Sequence, residues 1–186
     1  MAGLLLRVLP SADKATPVKP AEAPPLNPLI VVKLWGNPCW LSFRINYLGL
    51  RFNLPVYGWI KQRYGLVRQE YVVLYSLHLR DGISAKDVCA STGFPKNTIS
   101  RAIQKLLCRR LIRRAPDPHD RRSYVLRLTG EGRRILDETV PPMVAWERQM
   151  LSGLNREEQQ VLAKLLARLV EDSPRWPSNL KQEEQG

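Results

Sequence analysis

Between Lys96 and Arg122 nine Lys and Arg stand against two Asp, so this stretch alone carries +7 of the chain's +12 net charge. The chemistry open to such a surface is recognition of phosphate. Within it, Asn97, Thr98, Ser100, Arg101 and Gln104 alternate with apolar residues. Arg pairs with guanine edges and Asn with adenine edges, while Thr and Ser serve base or phosphate. Lys96 and Lys105 suit phosphate alone. Further along, Arg121 and Arg122 follow Asp120 in a polar loop, and adjacent arginines at a tip suit a narrow, electronegative minor groove. His119 beside them reads as a turn residue. The ordinary alternative for both groups is a solvated face that touches nothing; their succession on consecutive elements argues for DNA contact.

Those elements follow from the pattern. Ile99, Ala102, Ile103 and Leu106 recur at the spacing of one buried helical stripe, starting at Pro95, with the polar residues opposite. A shorter helix precedes it, opened by Ser84 with Asp87 three residues on and closed at Thr92-Gly93. Two helices separated by so short a turn match the helix-turn-helix plan, in which the second enters the major groove. Leu111–Arg114 and Ser123–Leu128 are short and β-prone, joined by a Pro- and Asp-rich bend, and predict a β-wing.

Upstream, Asn37-Pro38 predicts a helix start over 38–54, ended or kinked by Pro55, then a short helix over 56–64 stopped at Gly65 and a central helix over 69–79. Downstream, Thr129 opens a helix expected to kink or break near Val140, before Pro141-Pro142. Asn155 with Glu158 opens a last helix whose wide stripe of Val161, Leu162, Leu165, Leu166 and Leu169 needs a partner surface. Residues 1–34, with Pro, Ala, Lys and Glu and no hydrophobic period, read as a disordered leader, and 173–186 as a tail.

The wording of these segments resembles the MarR (multiple antibiotic resistance regulator) family. The resemblance covers about residues 38–172. It rests on Gly65-Leu-Val-Arg-Gln-Glu-Tyr-Val-Val-Leu, Thr98-Ile-Ser-Arg, Leu111-Ile-Arg-Arg, Asp117-Pro-His-Asp-Arg-Arg and Leu128-Thr-Gly-Glu-Gly-Arg. It implies a mainly α fold with a small β-wing: a winged helix-turn-helix at about 66–130 between dimerisation helices at about 38–64 and 143–172, together spanning 35–172. It also implies a homodimer on a pseudo-palindromic operator, with Asp120 steadying Arg122 in the minor groove, and an aromatic or phenolic effector that relieves repression.

Ten aromatics lie between Trp35 and Tyr75. They read as packing and interface, or as the effector pocket that the resemblance implies, lined by Trp40, Phe43, Arg44, Tyr47, Arg51, Tyr71 and Tyr75. Cys39, at the start of the first helix, offers a redox route instead, since the positive end of a helix dipole lowers a thiol pKa. Three cysteines without C-x-x-C spacing favour a reducing compartment, so the expectation is cytoplasmic. No apolar stretch approaches the roughly 18–20 residues of a membrane span, and no cofactor or metal is called for. With two histidines and no metalloprotease, Walker or nucleophile-elbow motif, an enzyme is not expected. Double-stranded DNA and a second copy are the expected partners. The rivals are a nonspecific nucleic-acid coating protein and a protein-binding module that borrows the winged fold.

Overall fold

The computed structural model describes residues 25–118, 120 and 123–177. The chain divides into two compact units, residues 1–46 and 47–186. In the first, α1 (Pro28–Trp35) occupies part of the stretch read from sequence as disordered leader. Its start repeats the Asn-Pro signal of Asn37-Pro38: Asn27 Oδ1 accepts from the Leu29 amide at 2.9 Å, and Pro28, which has no N–H to satisfy, takes the first turn. The remainder of the leader that falls at residues 1–24 lies outside the described residues.

α2 (Trp40–Tyr64) runs through Pro55 without ending, where two helices were expected. One lost hydrogen bond is outweighed because Val56 and Ile60 are buried, with Phe52, Tyr57, Trp59 and Tyr64 against the same core. The second unit continues with α3 (Arg68–Leu79), α4 (Ala85–Thr92), α5 (Lys96–Cys108), β1 (Ile112–Pro116), β2 (Tyr124–Leu128), α6 (Gly130–Met150) and α7 (Arg156–Asp172). α6 likewise passes Pro141-Pro142 without the break that was one of the two outcomes expected there: Thr139 just before them is fully buried, and Val140 and Met143 pack on the core. Each proline removes a donor, but the packed face on either side keeps the helix in register.

α3 is the centre, with Tyr71, Val73, Leu74 and Leu77 wholly buried. α5 lays Ile99, Ala102, Ile103 and Leu106 against it. The Ser84–Asp87 capping box forms as predicted, and Gly93 turns α4 into α5 at φ +68°, a conformation that costs glycine least. β1 and β2 pair antiparallel, Ile112 opposite Leu128 and Pro116 opposite Tyr124, and Ile83 bridges Leu126 as a third short rung. The start of α6 rests on the carbonyl of Leu111 so closely that a Cβ on Gly132 would lie 2.1 Å from that oxygen.

Candidate nucleic-acid interface

α5 presents two faces because its apolar residues recur with the helical period. Opposite the buried stripe, Lys96, Asn97, Ser100, Arg101, Gln104 and Lys105 are exposed and Thr98 is half-buried. Val67, Gln69, Glu70, Thr98, Arg101 and Lys105 line a shallow cavity of about 170 Å³ where the start of α3 meets this face. Six of the residues singled out in the sequence are therefore brought to one open helix side. Two cations of α5 and its terminus have internal partners: Lys105 Nζ stands 3.3 Å from Glu70 Oε1, and the Arg109 guanidinium donates to the carbonyls of Tyr64 and Gly65 at 2.7 and 3.2 Å.

The wing is held at its base. Asp81, in the turn after α3, accepts from the Leu128 amide at 2.9 Å and pairs with Arg127 at 3.4 Å. This relieves the juxtaposition of like charges where Arg113 faces Arg127 across the strands. Arg113 and Arg114 are exposed on β1 and add positive charge beside α5 in the chain. At the tip Asp120 Oδ2 accepts from the Ser123 hydroxyl at 2.6 Å, and its carbonyl accepts from the Ser123 amide at 2.9 Å. Asp120 thus shapes the turn itself. His119, Arg121 and Arg122 lie outside the described residues.

Sequence reasoning missed Glu70, Asp81 and Arg109. Glu70 had a local signal, since a carboxylate three residues into a helix can accept from the amide at its start, and Glu70 Oε2 does so from Val67 at 3.1 Å. Asp81 and Arg109 act on residues more than forty positions away, and no local spacing announces them.

The residues suggested for an effector pocket fall in both units. In the first, Arg44 donates to the carbonyls of Leu34 and Trp40, and its guanidinium stacks over the rings of Trp35 and Trp40. Lys33 caps the Phe43 ring at 5.9 Å. In the second, Tyr47 is half-buried and Arg51 exposed. Tyr71 stacks on Tyr75 and meets Tyr57 edge-on. The Thr139 hydroxyl donates to the Ile135 carbonyl, so it accepts from the Tyr71 hydroxyl at 2.7 Å. Burial pushes the Tyr71 phenol up to about 12. Burial also raises Tyr57, partly offset by Arg68, whose guanidinium sits between the rings of Tyr57 and Phe94.

Cys39 is exposed just ahead of α2, its amide donating to Asn37 Oδ1 at 2.9 Å; Cys89 is half-buried and Cys108 exposed, and all three are free thiols. Among the described residues no group of three or more His, Cys, Asp or Glu is placed to hold a metal ion, and no helix is long and apolar enough to cross a membrane.

Residues 64–123 match a model of the MarR family. The chain is 24% identical over 109 residues to YwaE of Bacillus subtilis, an uncharacterised regulator of the helix-turn-helix type, covering 59% of this chain and 64% of that one. It is 26% identical over 102 residues to the transcriptional repressor NicR of Pseudomonas putida, covering 55% and 65%. The chain thus spans just under two thirds of the length of these two relatives. Among solved structures, a MarR-family regulator from Silicibacter pomeroyi matches with a TM-score of 0.62 at 29% identity, over 78% of this chain and 96% of that one. PcaV of Streptomyces coelicolor, solved with its natural ligand, matches in fold with a TM-score of 0.59 at 24% identity, over 75% and 96%. The family model stops in the wing loop, whereas the likeness in fold extends over most of the chain; residues 64–123 resemble the MarR family, and the architecture is that of its winged helix-turn-helix regulators.

Proposed function

We propose that the chain is a sequence-specific DNA-binding transcriptional regulator that acts as a homodimer, and that it is a repressor. The observation that carries this reading is the open side of α5, where Lys96, Asn97, Ser100, Arg101 and Gln104 stand exposed over a wholly apolar underside. Arg101 supplies two donors for the O6 and N7 of guanine, Asn97 supplies one donor and one acceptor for the N7 and N6 of adenine, and Lys96 supplies a phosphate contact. The wing follows α5 directly, and its Arg121-Arg122 tip is taken to enter the adjoining minor groove.

The dimer rests on unpartnered apolar surface: Val161, Leu165 and Val170 of α7 are 57%, 51% and 69% exposed. A second copy is the partner assigned to it. Two recognition helices related by a two-fold axis then address half-sites about 10 bp apart. NicR is named a repressor and PcaV binds a natural ligand; by analogy a small aromatic or phenolic effector loosens the grip of this chain on DNA. Such an effector works only if it binds the released arrangement more tightly than the DNA-bound one.

Selection of duplexes from a randomised pool by the full chain tests the reading. An inverted repeat with half-sites about 10 bp apart is expected, and Arg101→Ala should cost about 1–3 kcal/mol and relax the preference at one position of each half-site. No enrichment over random duplex, or a single half-site occupied by a monomer, overturns it. Titration of simple phenols into the selected complex tests the effector alone: unchanged affinity removes the effector and leaves the regulator.

A further inference from the structure

We propose that the cations of α5 are divided between two tasks and that Glu70 makes the division: Lys96 and Arg101 face the duplex, whereas Lys105 and Arg109 are turned onto the protein and fix the angle at which the helix is presented. The inference rests on the DNA-binding reading and concerns which charges do the binding.

Glu70 is 5% exposed, the only charged residue buried among those described. One carboxylate oxygen accepts from the Val67 amide at 3.1 Å, and the other faces Lys105 Nζ at 3.3 Å. A carboxylate withdrawn from water holds its counter-charge tightly, because losing it leaves a buried charge uncompensated. Lys105 is exposed along most of its length, but its ammonium is drawn back to the start of α3. A phosphate that engaged Lys105 would have to take it from Glu70.

One turn on, Arg109 is committed in the same sense. Its two terminal nitrogens donate to the carbonyls of Tyr64, the last residue of α2, and of Gly65 just beyond it, where a cation is also favoured by the helix dipole. Lys105 and Arg109 are four residues apart and so share a helix side. Together they tie the second half of α5 to the start of α3 and the end of α2. Arg101 begins the same row, but among the described residues it has no ion-pair partner. Lys105 and Arg109 are therefore positioning residues, and Glu70 is what keeps Lys105 from the phosphates.

The number of phosphates neutralised is read from the salt dependence of binding, with a slope of about −0.9 per phosphate. The probe is the duplex enriched by the full chain in the selection above, titrated with KCl. Glu70→Gln keeps an acceptor for the Val67 amide while releasing Lys105; its slope should steepen by about 0.9 per protomer. Glu70→Gln with Lys105→Met should return to the slope of the unaltered protein, with affinity several-fold lower and base preference relaxed. Lys96→Met should flatten the slope by about 0.9 per protomer. An unchanged slope in Glu70→Gln, or a slope flattened by that amount in the double variant, means that Lys105 already contacts phosphate and overturns the proposal. Should the double variant not fold, the Glu70→Gln slope alone decides. Failure to enrich any duplex fells the DNA-binding reading and this inference with it; bound duplex with the wrong slopes fells only the inference.

Discussion

α5 and α7 are both amphipathic helices with well-formed apolar stripes, yet they meet opposite fates. α5 has thirteen residues, of which Ile99, Ala102, Ile103 and Leu106 are buried inside the chain. α7 has seventeen and buries none of them, although Leu162 and Leu166 stand on the side where a stripe would close. A helix of that length is marginal in water by its own hydrogen bonds, even with the Asn155–Glu158 capping box that opens it. The contrast teaches that periodicity shows that a face must be covered while leaving open whether the same chain or another copy covers it.

The largest effect should come from breaking the uncovered side. Leu162→Glu with Leu165→Glu should raise the dimer dissociation constant by at least about a hundredfold, since each leucine is worth about 1.5–3 kcal/mol on burial. Sedimentation should show a monomer with native helix content; an undiminished dimer would mean that α7 is not the interface. A smaller effect belongs to the covered side. Tyr71 titrates at about 12 when folded against 10.0 unfolded, so the protonated phenol favours the fold. The stabilisation is complete below pH 10 and is lost as pH climbs toward 12. Urea unfolding across that range should show about 2 kcal/mol less loss in Tyr71→Phe than in the unaltered protein. Equal losses would place the titration elsewhere. The smallest effect lies at the end of α5, where Arg110 is held at φ +56° while the Leu111 amide reaches back to the Leu106 carbonyl at 3.0 Å. Arg110→Gly relieves that strain and should stabilise the protein by about 0.5–1 kcal/mol in the same measurement. No gain would mean that the turn carries no strain.

Where signals are local, the sequence is legible. The Ser84–Asp87 and Asn155–Glu158 boxes, the buried stripe of α5 and the two wing strands all stand within a residue or two of where spacing puts them, because caps and periodicity act between neighbours. The misreadings concern proline. Pro55, Pro141 and Pro142 look like stops when only the lost hydrogen bonds are counted, but packing of Ile60 and Thr139 holds the helices together around them. At Asn27-Pro28 the error ran the other way: a proline-rich setting concealed a capped helix start that was present in plain residues.

The candidate site divides in the same manner. Its charge, its helical face and its order along the chain were determined by the sequence alone, since net charge is additive and a 3.6-residue period needs no partner. Which cations remain available was decided only by the tertiary structure. Glu70, Tyr64 and Gly65 lie more than thirty positions from the Lys105 and Arg109 they engage, and only the packing of α2, α3 and α5 brings those carbonyl and carboxylate oxygens within hydrogen-bonding distance of the recognition helix.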